Sequence, residues 1–299
     1  MGLLPTQIKR MLATETTQQK HTTGADGNER ANSSVMMGSG ESQTEAGTRK
    51  SRFLTPKSPT NIGVWNVRTL NDTRRMAQVV ADMKRYQLGI LGISEMRWTG
   101  SNSLISEGVS VYYSGGSKHE KGVGILLSQE VTRAMLSWEP INDRIITMRL
   151  QANHTKVTII QVYAPTNAAS DQDKNEFYEQ LQDILDAAPE HDLKIIMGDF
   201  NAQIGKDNTG WEDTIGREAM GERTDNGERL LSICSTNKMK IGGSLFMHKN
   251  IHKGTWRSPD GLTVNQIDHF CISRRWATSL QDVRVHRGAD VATDHYTSW

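Results

Sequence analysis

The run IIMGDFNAQI, residues 195–204, drives an apolar strand straight into a carboxylate and a carboxamide. Alternate residues of a strand share a face, so Ile195, Met197, Asp199 and Asn201 would line up on one side. Four other runs repeat the pattern. IGVWNV gives Asn66 the parity of Ile62 and Val64, and LGILGISE gives Glu95 the parity of Leu91 and Ile93. TIIQVYAP gives Tyr163 the parity of Ile159, and QIDHFCIS gives Asp268 the parity of Phe270 and Ile272. Asp294 and His295 follow near the end of the chain. A desolvated carboxylate without a partner costs on the order of several kcal/mol, so such a set requires mutual hydrogen bonds, a cation, or both.

The chemistry of this set is specific. Oxygen donors without paired Cys or His spacing suit Mg²⁺, with Mn²⁺ as the alternative, and disfavour structural Zn²⁺. Mg²⁺ takes few carboxylates and completes its shell with water and phosphate, leaving other acids for proton transfer and for holding a histidine. A charged imidazole beside the metal suits a reaction in which negative charge grows on phosphoryl oxygens. Plainer readings stand beside each residue. Asn closes strands by bonding backbone groups, a strand Tyr is a common core residue, and Asp268 with His295 could form an inert buried pair.

Positioning these residues falls to alternating strands and helices. NIGVWNV and LGILGIS read as strands around an amphipathic helix over 73–86, with Met76, Val79, Val80 and Met83 at helical spacing. VSVYY and GVGILLS follow, and then RIITMRL and KVTIIQVY as a hairpin turning at QANHT. A helix over 172–187 leads into LKIIMGDF. Beyond it come a Gly- and charge-rich loop, a short helix around 230–234, and the strands MKIGGSLF, GTWRS, TVNQIDHFCIS and DVRVH, with SPDG as a turn. Hairpins mixed with strand–helix–strand units predict an α/β (α+β) fold of mixed sheets stacked face to face with helices outside.

Composition sets the boundaries. Residues 1–60 form a polar tail with almost nothing to bury and are expected to be disordered, whereas 61–299 carries recurrent apolar runs and reads as one domain. The N-terminus lacks the apolar segment of a signal peptide, and no run is long enough to cross a membrane. The two cysteines, Cys234 and Cys271, sit in apolar contexts and read as reduced thiols of an intracellular protein. A net charge of +1 excludes gripping nucleic acid by bulk charge alone but leaves room for local basic loops. HKNIHKGTWRS is the concentrated cation run, with Lys249, Lys253 and Arg257 as candidates for backbone phosphates; a solvated hairpin is the plainer alternative.

Taken in order, WNVRT, ISEMRW, VYAPT, MGDFNAQIG, TW followed by NQIDHF, and TDHY resemble the endonuclease/exonuclease/phosphatase superfamily, the deoxyribonuclease I-like enzymes. GREAMGERTDNGERLL, HKNIHKGTW and ISRRW are similar to RTE-type non-LTR retrotransposon endonuclease domains and the craniofacial development protein 2-like group. The resemblance implies a four-layer sandwich, two packed mixed β-sheets flanked by helices. It implies that Glu95, Asn66 and Asp294 serve the metal, and that Asp199 orients and deprotonates the attacking water. Asn201 and Tyr163 would contact the scissile phosphate, and Asp268 would align His295 against it. Thr255 and Trp256 fall where related endonucleases carry a surface hairpin near the DNA.

The expected activity is thus Mg²⁺-dependent nicking of DNA by a monomeric, nuclear protein. The rival expectations are an idle remnant acting as an interaction protein, and a phosphomonoesterase of the same fold. The chain ends four residues after His295, so the family's final strand is expected to be nearly absent, leaving an open sheet edge and a mobile histidine. A reverse transcriptase domain would accompany a full-length relative.

Overall fold

Where apolar residues alternate or run together, strands form. A computed structural model describes residues 7–8, 53–54, 59–70, 72–288 and 293–299. In chain order the first half holds β1 (Gln7–Ile8), β2 (Thr60–Asn66), α1 (Thr73–Arg85), β3 (Leu88–Ser94), β4 (Ser101–Ser106), β5 (Val109–Ser114) and β6 (Val123–Leu127). The short α2 (Gln129–Thr132), β7 (Met135–Pro140), β8 (Ile145–Gln151) and β9 (Lys156–Tyr163) follow. Next come α3 (Asp171–Ala187), β10 (Leu193–Asp199), α4 (Asp225–Thr236) and β11 (Met239–Ile241). The chain closes with β12 (Trp256–Arg257), β13 (Val264–Asn265), β14 (Asp268–Ser273), β15 (Val285–His286) and β16 (Thr297–Ser298).

Two mixed sheets result. The first runs β15-β16-β2-β3-β6-β5-β4, with β1 also pairing β2; the second runs β11-β14-β10-β9-β8-β7. The faces they turn to each other are apolar: Ile62, Val64, Ile90 and Ile125 from the first meet Ile159, Ile195, Met197 and Phe270 from the second. The outer face of the first sheet is covered by α1, whose Met76, Val79, Val80 and Met83 pack on Leu91 and Ile93. The outer face of the second is covered by α3 and α4 through Phe177, Leu181, Leu230 and Leu231. Each of these helices starts on a side-chain cap, from Asp72, Ser170 and Thr224. The outcome is helix, sheet, sheet, helix: the four layers expected.

The differences from the sequence reading are local. The helix expected around 230–234 extends to Asp225–Thr236, because the Thr224 hydroxyl accepts the Gly227 N–H and opens it five residues earlier. MKIGGSLF is a strand only to Ile241, then turns through Gly242–Ser244 in a 3-10 helix. TVNQIDHFCIS divides into β13 and β14. The polar strands β4 and β7 have no strong apolar alternation and escaped the pattern.

The segment expected to be a disordered tail lies outside the described residues apart from Gln7–Ile8, Phe53, Leu54, Pro59 and Thr60. Phe53 and Leu54 are buried in the inter-sheet core, so packing reaches upstream of Asn61. At the other end, β16 is short but paired on both sides, with Val285–His286 of β15 and with Val64 of β2. Trp299 is buried against Tyr86 and stacked on His286, which anchors that strand. Among the described residues, no helix is long and apolar enough to cross a membrane.

Candidate active site

The parallel pairs β2–β3 and β9–β10 bring four strand ends to one edge of the sandwich. β14 runs antiparallel to β10 and therefore begins there, with Asp268 opposite Asp199 and Asp199 opposite Tyr163. Asn66, Tyr163, Asp199 and Asp268 keep the inter-sheet parity read from the sequence. Glu95 does not. Leu91 and Ile93, whose parity it shares, face α1. Glu95 reaches the inter-sheet side only because its backbone turns left-handed just past the strand, with φ of 57°. Arg68, Arg97 and Asn201 sit in the same conformation at φ of 58°, 59° and 48°. For non-glycine residues this is a held, strained geometry, and four instances gather at this edge.

The side chains form one hydrogen-bonded floor. Asn66 Nδ2 donates to Glu95 Oε1 and to Asp199 Oδ2, both at 2.8 Å, tying the first sheet to the second. The Tyr163 hydroxyl donates to Glu95 Oε1 at 3.1 Å, and Arg97 holds Glu95 Oε2 at 3.0 Å. Asp199 Oδ1 accepts the Asn201 N–H at 2.8 Å, while Asn201 Nδ2 donates to the Ala164 carbonyl. His295 Nδ1 lies 3.0 Å from Asp268 Oδ2, and its Nε2 lies 3.9 Å from Asp199 Oδ2. Asp294 accepts from Trp256 Nε1 at 3.2 Å and pairs with Arg68 at 3.4 Å. The floor opens into a cleft of about 440 Å³.

Electrostatics divide the labour. Burial, then the neighbouring Asp268 charge, push Asp199 up to about 7, against the pull of His295 and the bonds from Asn66 and Asn201. Burial works against a charged His295, but Asp268, Asp199 and Asp294 outweigh it and raise the imidazole to about 9. It is an imidazolium at neutral pH. Tyr163 is raised by burial and then by the charges of Glu95 and Asp199, so its phenol stays protonated and donates.

Among the described residues, Asp199, Asp268 and His295 are the one cluster whose ligand atoms all lie within 4.8 Å of one another. His295 Nδ1 is already committed to Asp268 and is not free to ligate. Nor does Asn66 offer its oxygen: Oδ1 accepts the Arg68 N–H at 3.0 Å, and the amide nitrogen faces the acids. Glu95 lines the cleft with Asp294, whose buried Oδ1 has no partner among the described residues. That oxygen-only donor set fits a hard divalent cation.

The hairpin residues part company. Lys249 and Arg257 are exposed, the Arg257 guanidinium bonding the Gly261 carbonyl at 3.1 and 3.2 Å. Trp256 lines the cleft. Lys253 and Thr255, expected at a DNA surface, point inward instead. The Lys253 ammonium is 2.6 Å from Glu218, and the Thr255 hydroxyl accepts the N–H groups of Ile267 and Asp268 at 3.0 and 3.1 Å. The Thr255 carbonyl also accepts the Tyr296 N–H, and Trp256 bridges His295. Thr255 thus pins Asp268 and the His295 segment together.

Sequence reasoning missed Arg68, Arg97, Asn167, Gln203, Thr224 and Asn265, which also line the cleft. Arg68 and Arg97 stand two residues after Asn66 and Glu95, a regularity visible in WNVR and SEMR. Asn167, Gln203 and Thr224 sit on loops, and Asn265 in the two-residue β13, where no periodic signal is carried.

Residues 63–295 match the Endonuclease/Exonuclease/phosphatase family, and the chain belongs to it. Within that class, craniofacial development protein 2 of Bos taurus is 35% identical over 257 residues, 86% of this chain and 43% of that protein. The Tragulus javanicus protein of the same name is also 35% identical, over 86% of this chain and 44% of its own length. The chain spans less than half the length of these curated relatives. Among solved structures, the 3′ phosphatase NExo from Neisseria, bound to product DNA hairpin, matches with a TM-score of 0.60 at 20% identity, covering 79% of this chain and 96% of that one. The endonuclease domain of TRAS1, a telomere-specific non-LTR retrotransposon, matches at 0.56 and 14%, covering 79% and 94%. At such identities the likeness is one of fold.

Proposed function

We propose that this chain is a metal-dependent phosphodiesterase that nicks DNA, an endonuclease domain of retrotransposon origin working as a monomer on nuclear DNA. The observation that carries the reading is the Asn66 bridge, which joins a carboxylate of each sheet in one cleft beside the Asp268–His295 pair. Bound Mg²⁺ or Mn²⁺ would neutralise charge on the phosphoryl and leaving oxygens, and Glu95 and Asp294 are the residues that would hold it.

The chain's own groups supply the rest. Asp199, held near 7 by burial and Asp268, is poised to take a proton from water attacking phosphorus in line with the departing oxygen. His295 Nε2–H, kept charged through Asp268, donates to a non-bridging oxygen as charge grows there. Asn201 and the protonated Tyr163 orient the same phosphate. Exposed Lys249 and Arg257 would meet flanking phosphates, while Trp256 shapes the cleft wall. The basic hairpin and the retrotransposon-like segments GREAMGERTDNGERLL, HKNIHKGTW and ISRRW support the choice of a diester over a monoester. A continuation into a polymerase domain, as expected of a full-length retrotransposon relative, would place a reverse transcriptase beside it.

Supercoiled plasmid with Mg²⁺ is the test. Wild type should yield open circles, and Asp199→Ala should not. No nicking by wild type, or equal nicking by both, contradicts the proposal. Release of inorganic phosphate from 3′-phosphorylated DNA without nicking would move the chain to monoester hydrolysis.

A further inference from the structure

Between the two sheets, directly beneath the floor, lies a polar side chain to which no role has yet been given. Gln161 is wholly buried in the inter-sheet core, at the parity of Ile159 and Tyr163. Its Nε2 donates to Ser94 Oγ at 3.1 Å and to the Val162 carbonyl at 3.2 Å, and Ser94 Oγ donates to that carbonyl at 3.1 Å. Its Oε1 has no partner among the described residues. Two glycines make room for it. A Cβ on Gly92 would stand 1.9 Å from Oε1, and a Cβ on Gly198 would stand 2.9 Å from Nε2 and 2.1 Å from the Val162 carbonyl.

The neighbours of this amide are not arbitrary. Ser94, Val162 and Gly198, on three strands and in both sheets, immediately precede Glu95, Tyr163 and Asp199. An apolar side chain could fill the same volume without leaving an unpaired oxygen, so the amide is not there for packing. What it adds is direction. Glu95 holds a left-handed backbone, a conformation that persists only where the surrounding structure imposes it. The residue before it is fixed across the sheet interface by the Ser94–Val162–Gln161 triangle.

We infer that Gln161 is a positioning residue, whose amide locks the end of β3 to the end of β9 and so sets Glu95 against Tyr163 and Asn66. The activity readout rests on the nuclease reading; a structural readout does not. Gln161→Met keeps the length and removes the amide, and Ser94→Ala releases the other end of the tie. Both should remain folded, with melting temperatures close to wild type. Crystals of either variant should show the Tyr163–Glu95 and Asn66–Glu95 bonds broken. On plasmid, kcat should fall about tenfold or more, since an ångström of misplacement can cost about a hundredfold. KM should stay within about twofold, and the double variant should be no slower than the slower single one. Preserved Glu95 bonds in the crystals, or an unchanged kcat in a nicking-competent background, would overturn the inference. If wild type does not nick, the nuclease reading fails and the crystals alone decide the role of Gln161.

Discussion

The floor of the cleft and the hairpin beside it are built from residues of similar polarity, yet the fold uses them in opposite ways. On the floor, Asn66, Tyr163, Asp199 and Asp268 keep the side that strand alternation assigns them, and their polar atoms meet. On the hairpin, neighbouring residues diverge: Arg257 faces solvent, while Lys253 and Thr255 are turned in to Glu218 and to the backbone of Asp268. A sheet interior dictates direction two residues at a time. A surface hairpin takes its direction from whatever it docks on. Here it docks on the segment carrying His295, so part of the element expected to meet DNA is scaffold for the floor.

The largest expected effect lies on the floor. Asp199→Ala should cut nicking by about 10²- to 10⁴-fold, the usual span for a lost general base, in single-turnover plasmid assays. A rate near wild type would show that the floor is architecture only. Thr255→Val comes next and tests the hairpin as scaffold. It strands two buried N–H groups, so denaturant unfolding should show a loss of about 1–3 kcal/mol, with slower nicking and little change in DNA affinity. Loss of affinity with full stability would return Thr255 to the DNA surface. Arg257→Ala and Lys253→Met then split the hairpin itself. The first should reduce the slope of log affinity against log salt by about 0.9, the weight of one phosphate contact, and the second should leave the slope unchanged. Equal slopes for the two variants would erase the distinction.

The smallest effect concerns a second histidine in the last segment. Carboxylates raise His295, but burial, then Arg284 and His252, hold His286 down to about 4. A depressed imidazole stabilises the fold fully above its ordinary range near 6.5, and that contribution is lost as pH falls through about 4. Melting temperature should therefore decline on acidification across this window, and His286→Phe, which can keep the stack on Trp299, should flatten the decline. An unchanged slope in the variant would mean that other groups control it.

The same comparison marks what the sequence could disclose. Asn66, Tyr163, Asp199 and Asp268 were legible because their strands are long, apolar and buried, and alternation survives to the strand end. Both sheets and three of the helices were legible for the same reason. Glu95 came out on the expected floor by a route alternation cannot show, since the turn that redirects it is a backbone conformation beyond Ser94. Lys253 and Thr255 were illegible because their partners, Glu218 and the backbone of Asp268, are set by tertiary docking. The weakly patterned β4 and β7 pair only at the sheet edges, where neither alternation nor burial is demanded.

The account turns on oxygens from distant segments sharing one divalent ion, and anomalous scattering from Mn²⁺-soaked crystals tests that most directly. It predicts a peak in the cleft with Glu95 and Asp294 oxygens at ligand distance, about 2.0–2.3 Å, and His295 outside the coordination shell. A peak ligated by His295, or none in the cleft at saturating Mn²⁺, would contradict it.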